Sequence, residues 1–541
     1  AQGVTTAAMN GIVVDSKGDP LPGANLLAVH TPSGTEYGTT TRVDGKYNLN
    51  GLRTGGPYKI TVSFVGYKSQ VFEGQNLQLG QNAKIDYTLI EEAVELGAVT
   101  VVGEKNAILS STRTGAEQNV TARDIELVPS IGKNFSDFAK LSPQANGNSS
   151  SIASRNNRYN NIQIDGTQYN DLFGLGATGA PGGQTGTTPI SIDAIQEFQV
   201  VVAPYDIKYG SFTGGGVNAI TRSGTNKWSG SIFGYGRNEN LVGAAGFKET
   251  DKDYPEFKEY AYGFRLGGPV IKDKLFLFAN GEITAKDQPL QNISLTTGPT
   301  TAEDLANQFA AILSSKGMDA GTYGTYTVEQ PSEKFFVRLD FNQSENHKMT
   351  LRHNYVTAYQ DILAGRNANT QVSFNTFAYR IKNITNSTVF QLNSTFSNSY
   401  SNELILGFTT IRDRRAGITD KRPEVRIMRE DVLLVAGPDR FSSANELDQD
   451  IFELTDNFSA YLGDHVLTVG THNEFFSFRN LFIRSFNGYY EFNTLADLEN
   501  ETPSYYQRVY SQDPNVDKPA ARFSVNQLGF YIQDEWTVVP T

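Results

Sequence analysis

From Trp228 onward the chain alternates apolar and polar residues with a period of two. Phe335, Val337, Leu339 and Phe341 interleave with Phe336, Arg338, Asp340 and Asn342. After a short break, Met349, Leu351 and Tyr355 interleave with Thr350, Arg352 and Asn354. The rhythm returns as Phe390, Leu392 and Phe396 against Gln391, Asn393 and Thr395, then as Phe452, Leu454 and Phe458 against Glu453, Thr455 and Ser459. A period of two puts each set on its own face of a strand, so each segment has one apolar face and one able to line water. Short turns are expected near residues 269–273, 344–346, 398–402 and 463–464. Long connections fall between them, near 286–332, 359–382, 413–448 and 480–522. Short turns at one end and long loops at the other suit an antiparallel barrel crossing a membrane. About ten strands are expected by Thr541, each near the ~9–11 residues needed to cross.

The first 90 residues read differently. Asn10-Gly11, the run from Gly18 to Gly23 and Asp44-Gly45 punctuate short β-prone segments, which predicts a small β-sandwich. Residues 91–105 form a connector holding the apolar run Leu96–Val102. Residues 106–225 mix both kinds of element: short helices at 124–128 and 134–141, each closed by a proline, and strands at 163–165 and 194–202. Between those strands lies a Gly-, Thr- and Pro-rich loop, 174–189. The fold class expected is mainly β: a small sandwich (1–90), an α+β plug domain (106–225), and the N-terminal part of a large antiparallel transmembrane barrel (226–541).

Composition narrows the choice. A mean hydropathy of −0.38 excludes a bundle of membrane helices but not a barrel, whose strands show lipid only alternate residues. The net charge of −12 leaves no basic face for nucleic acid. Fifty-one glycines, 26 tyrosines and 33 phenylalanines suit many turns and aromatic girdles. With no cysteine, disulfides, thiolate catalysis and Cys-based zinc sites all fall away. The five histidines form no His-Glu-x-x-His motif, no metal site or cofactor is expected, and no Gly-x-Ser-x-Gly elbow occurs. Gly174-Leu-Gly176-Ala-Thr-Gly179 copies the dinucleotide-binding pattern, but Pro181 and further glycines follow where a helix should start, so it reads as a loop.

Three motifs converge on a family. Gly11-Ile-Val-Val-Asp15, Pro20-Leu-Pro-Gly-Ala24, Asp44-Gly-Lys-Tyr47 and Ser63-Phe-Val-Gly-Tyr67 resemble the carboxypeptidase-regulatory-like domain. Arg155 followed by Ile162-Gln-Ile-Asp165-Gly166 resembles a plug-domain signature, and Tyr209 to Asn218 with Thr221-Arg-Ser-Gly-Thr-Asn226 resembles its closing motif. In this order they resemble TonB-dependent outer-membrane receptors of the Oar-like, SusC-related kind found in Bacteroidetes-type bacteria. That resemblance implies a plug inside a barrel of about 22 strands, so the chain is expected to be an incomplete portion of a longer protein; a complete small barrel is the alternative.

The resemblance also implies partners: TonB with its inner-membrane motor, outer-membrane lipids, a surface lipoprotein and a transported protein or peptide, with glycan and metal chelate left open. Ala98, Val99, Thr100, Val101 and Val102 resemble the TonB box, an extended segment able to add as a strand to a partner's sheet. The bland reading is a last sandwich strand or a linker. Arg155 and Asp165, with Gly166, are expected to latch plug to barrel, against direct substrate contact or a mere surface pair. The rival function is an outer-membrane adhesion or scaffold protein without transport. A helix with apolar Leu305, Phe309, Ile312 and Leu313, capped by Thr301, is expected on an extracellular loop.

Overall fold

The computed structural model describes residues 3–92, 116–127, 142–146, 151–176, 178–204, 206–242, 256–292, 295, 298–366, 368, 370–419, 421–428, 432–513 and 515–538. Near the N-terminus two sheets face each other. One runs Lys46–Leu52, Ala7–Val14, Asn82–Lys84, with Tyr87–Thr88 also on Ala7–Val14; the other runs Thr35–Thr40, Asn25–His30, Gly55–Ser63, Gln70–Leu77. Alternation decides what goes inside: Leu26, Ala28 and His30 are buried while Asn25 and Leu27 are exposed. Met9, Val13, Leu26, Tyr47, Tyr58 and Val62 meet in one core.

In the second sheet the alternation disappears. Its five strands run Thr167–Gln168, Asn161–Ile164, Gly216–Thr221, Ile195–Val202, Ala116–Thr121. Gly216–Thr221 is buried at every position and Ile195–Val202 at all but two. Strands covered on both faces lose the polar stripe, and this sheet is covered because it sits inside the curve of a third. Val120, Ile125, Phe198, Val200 and Ala219 form its core. A helix at Ala122–Leu127 stands where one was expected at 124–128; the helix expected at 134–141 lies outside the described residues.

The third sheet is the wall. Its strands are β1 (Ser229–Asn238), β2 (Lys258–Ile271), β3 (Leu275–Leu290), β4 (Ser332–Asn342), β5 (His347–Ile362), β6 (Tyr379–Ser397), β7 (Tyr400–Gly417), β8 (Asn445–Leu462), β9 (His465–Phe482) and β10 (Ala521–Trp536). Each pairs antiparallel with the next, and short Tyr326–Glu329 adds to β3. Among the described residues β1 and β10 each have one neighbour, so the wall curves but stays open. Phe335, Leu351, Phe408, Phe452 and Phe475 project outward and are exposed, aligned across strands with Phe408 opposite Phe452 and Phe452 opposite Phe475. The strands are longer than the crossing length anticipated, reaching 19 residues in β6. Their extra turns lie beyond the apolar band, as at Arg412–Arg415 of β7, where polar residues on both faces hide the strand from a periodicity search.

The long connections carry structure of their own. Gln371–Ser373, Leu433–Ala436, Glu424–Met428, Tyr489–Phe492 and Tyr505–Gln507 form a five-stranded sheet. The helix Ala302–Ser315 packs on it, with Leu305, Phe309 and Leu313 in a shared core with Phe374, Ile427 and Leu434. Thr301 precedes that helix but makes no side-chain cap, so the capping expectation fails there; Glu303 and Asp304 in the first turn favour the helix dipole instead. The sandwich packs at the opposite, short-turn end. Asn342 Nδ2 donates to Thr35 Oγ1 at 3.1 Å, the Asn226 N–H to Pro32 O at 2.9 Å, and Lys46 pairs with Asp464.

Candidate functional site: the interface between wall and central sheet

Ile162-Gln-Ile-Asp165-Gly166 leaves strand Asn161–Ile164 through a tight turn into Thr167–Gln168. Asp165 has φ 52 and Gly166 φ 83, the left-handed pair of an Asp-Gly hairpin. Glycine is required at 166 for a second reason: a Cβ there would lie 2.9 Å from Ile405 Cδ1 of the wall and 2.9 Å from Thr5 Cγ2. The turn therefore drives Asp165 into the wall. Opposite Thr167 the wall has Gly407, whose missing side chain leaves the space the hairpin fills.

Asp165 is 2% exposed. Its Oδ1 accepts from the Thr221 N–H at 2.9 Å and its Oδ2 from Thr221 Oγ1 at 2.8 Å, tying the hairpin to the end of strand Gly216–Thr221. From the wall, Arg352 Nη1 lies 3.2 Å from Oδ1 and Arg338 Nη1 3.8 Å from it. Arg352 Nη2 also donates to Asp165 O and to Gln391 Oε1, both at 3.1 Å. Arg338 and Arg352 stand directly opposite each other on β4 and β5, an arrangement that repels unless an anion lies between. Asp165 supplies one negative charge and Asp340, 2.8 Å from Arg338, the other.

The expected pairing of Arg155 with Asp165 is not what forms. Arg155 is exposed; its N–H donates to Ile152 O, and Asp165 takes its cations from the wall. The left-handed turn points the Asp165 carboxylate toward β4 and β5, away from the segment carrying Arg155. Neither arginine partner lies near the motif in sequence. The signal that would have found them is the in-register pair of arginines on the polar faces of two neighbouring strands. The segment Ala98 to Val102 lies outside the described residues.

Around this contact the interface is largely polar, although Phe278 and Phe336 of the wall join the apolar core of the central sheet. Ser191 Oγ and Lys334 Nζ both donate to Glu282, at 2.7 and 2.6 Å. Thr187 and Ser332 share a hydrogen bond at 2.6 Å, Asn354 Nδ2 donates to Pro189 O at 2.7 Å, and Arg265 pairs with Asp193 at 2.9 Å. The Gly-rich loop starts no helix at Gly174, whose carbonyl accepts from Arg158 Nη2 at 2.7 Å. A second junction joins the sandwich to the central sheet: the Leu79 N–H donates to both Glu197 oxygens at 3.1 Å and Asn119 Nδ2 to Oε1 at 3.0 Å. Burial pushes the Glu197 carboxyl up to about 7, against the lowering effect of those two donors. Where sandwich, central sheet and wall meet there is a cavity of about 700 Å³, lined by charges of both signs, among them Arg42, Asp206, Lys208, Glu403 and Asp464.

Of the wall histidines, His353 bonds Thr388 and His465 bonds Asp534, as structural side chains do. His472 differs. It faces inward, buried, beside Glu453 and Glu474, which β8 and β9 place directly opposite each other.

The chain is similar to known proteins along most of its length. Residues 8–90 match the carboxypeptidase regulatory-like domain, and residues 220–327 and 309–541 match the outer membrane beta barrel domain. The TonB-dependent transporter Oar of Myxococcus xanthus is 28% identical over 288 residues, 50% of this chain and 26% of that protein. The TonB-dependent receptor SusC of Bacteroides thetaiotaomicron is 27% identical over 268 residues, 47% of this chain and 24% of that protein. Among solved structures, the outer membrane transporter YddB from Escherichia coli superposes with a TM-score of 0.54 at 12% identity, covering 77% of this chain and 54% of that one. The likeness to YddB concerns fold alone. The matched stretches thus span about a quarter of the two curated relatives and about half of the solved structure.

Proposed function

This chain belongs to the outer-membrane β-barrel family, as a TonB-dependent receptor of the outer membrane, and from that premise we propose that the whole protein actively moves a large solute, a protein or peptide, across that membrane. The central sheet is the plug, closing the lumen at rest. TonB engages Ala98–Val102 as an added strand and draws on the plug.

The observation that carries this reading is the polar character of the buried contact between central sheet and wall, with Asp165 between Arg352 and Arg338 at its heart. Each hydrogen bond in it contributes only ~0.5–1.5 kcal/mol net, because water replaces what is broken. Such a contact holds one registry yet can be opened and remade, as a gate requires and an apolar core does not allow. An open sheet with bare edges is not tolerated in hydrocarbon, so the reading requires further strands to close the wall between β10 and β1. A protein or peptide solute is supported by the loop sheet, whose edge strand Tyr505–Gln507 shows Tyr505 and Tyr506 half-exposed, offering a main-chain edge and aromatic faces. The adhesion or scaffold alternative needs no coupling segment.

Val101→Pro separates the two. Proline removes an N–H and fixes φ, so TonB crosslinking and energised transport are lost while the wall still folds, scored by heat-modifiable gel mobility. Val101→Thr keeps the N–H and the β preference and is nearly silent. Full TonB crosslinking in the Val101→Pro protein refutes the assignment.

A further inference from the structure

The inner face of β8 and β9 carries an arrangement the transport reading does not use. Glu453 and Glu474 are directly opposite across the strand pair, and Thr455 is opposite His472. All three candidate ligands are buried: Glu453 is 2%, Glu474 1% and His472 4% exposed. Two carboxylates facing each other out of water repel, and nothing obliges a barrel wall to place them so. Glu453 accepts from the Gln168 N–H of the plug hairpin at 3.1 and 3.3 Å. His472 Nε2 and Glu474 Oε1 are buried without a hydrogen-bond partner, and His472 Nε2 points at the Glu474 carboxylate, 3.9 Å away. Buried polar atoms left this way need an explanation.

We propose that Glu453, His472 and Glu474 bind a divalent transition-metal cation, zinc being the first choice. One ligand atom from each residue lies within 4.8 Å of the other two. A triangle of that edge has its centre about 2.8 Å from each corner, so side-chain rotations of about 0.7 Å bring all three to the ~2.0–2.2 Å of zinc bonds. The orientation of the ring is already set. His472 Nδ1 is 2.7 Å from Thr455 Oγ1; with Nδ1–H donating to that hydroxyl, the Nε2 lone pair faces the carboxylates, as second-shell partners of metal-bound imidazoles do. Two carboxylates and one imidazole neutralise a doubly charged cation and leave a coordination position for water or a fourth group.

The site also has a place in the fold. Glu453 has a second oxygen for the Gln168 N–H while the first takes the metal, so the cation ties wall strands β8 and β9 to the hairpin that Asp165 and Gly166 form. It is a resident ion where the wall meets the plug hairpin, and does not depend on which solute is carried.

The test uses full-length protein purified in detergent from outer membranes of cells grown with zinc, its metal content measured by plasma mass spectrometry, then stripped with chelator and titrated with Co²⁺. The expected result is about one zinc per chain, and a Co²⁺ d–d spectrum of a nitrogen/oxygen site. His472→Asn and Glu474→Gln, checked for folding by heat-modifiable mobility, each lower affinity at least ~100-fold, while His465→Asn leaves it unchanged. Wild-type protein with neither zinc nor a Co²⁺ spectrum overturns the proposal. So does a folded His472→Asn protein that keeps the same stoichiometry and spectrum. Both outcomes are independent of TonB coupling, which this experiment does not involve.

Discussion

Replacing Asp165 with asparagine probes the contact on which the gate reading rests. Asparagine tolerates the left-handed φ of 52 and keeps an oxygen for the Thr221 N–H, so the backbone turn survives and only the charge is removed. Arg338 retains Asp340 at 2.8 Å. Arg352, only 3% exposed, keeps Gln391 and the Asp165 carbonyl but no anion in contact. An uncompensated buried charge costs about 3–5 kcal/mol, so docking of the central sheet weakens by that order. The mirror substitution, Arg352→Met, leaves Asp165 with both Thr221 donors and Arg338 at 3.8 Å, and costs less, ~1–3 kcal/mol. The double variant removes both charges and costs less than the sum, with a coupling of ~0.5–3 kcal/mol. Docking is read from hydrogen exchange at the Thr221 N–H across a urea series, with heat-modifiable mobility reporting on the wall. A loss below ~1 kcal/mol for Asp165→Asn, or strict additivity in the double variant, refutes the argument that this ion pair fixes the central sheet.

Gly166→Ala combines a left-handed backbone with a collision against Ile405 and Thr5, so it destabilises docking by ~1–3 kcal/mol. Gly463→Ala, also left-handed but with open space around it, costs less in the same exchange assay. Glu197 gives the sandwich junction a pH dependence of definite sign. Its folded value of about 7 lies above the reference 4.5, so its contribution is full below about 4.5 and declines as pH rises through 7, by up to ~3 kcal/mol. Exchange at the Leu79 N–H therefore quickens with pH beyond its intrinsic rate, and Glu197→Gln removes the excess; an unchanged profile in that variant contradicts the assignment. Protease applied to intact cells cuts in the loop flanking helix Ala302–Ser315 before the turn at 344–346, and the reverse order inverts the topology.

What the sequence reveals follows from how local each physical signal is. Wall strands announce themselves because lipid outside and a polar lumen inside force period-two alternation, as in Phe335 to Asn342. The turn at Asp165-Gly166 is legible because two adjacent residues define it. The loop sheet is not, since pieces such as Gln371–Ser373 and Tyr505–Gln507 have three residues each, and Gln371 finds its partner Leu433 only 62 positions further on. Arg155 looked like the partner of Asp165 because it is ten residues away; the true partners, Arg338 and Arg352, are brought in only by the closure of β4 on β5. His472 has Glu474 two residues along the same strand, but only the pairing of β8 with β9 adds Glu453 and makes a cluster of three.

A central sheet that closes the lumen must move to open it. Thr187 Oγ1 and Ser332 Oγ lie 2.6 Å apart across the interface, close enough for the longer C–S bonds of two cysteines to bring their sulfurs to the ~2.05 Å of a disulfide, and the chain has no cysteine to interfere. Thr187→Cys with Ser332→Cys therefore fastens the sheet to β4 under oxidation. Conductance of the full-length protein in a planar bilayer is the direct readout, with urea used to loosen the sheet. Wild type is expected to open reversibly in urea, the oxidised double-cysteine protein to stay closed, and a reductant to restore opening. An oxidised, fully crosslinked protein that conducts as wild type does in urea would refute closure of the lumen by this sheet.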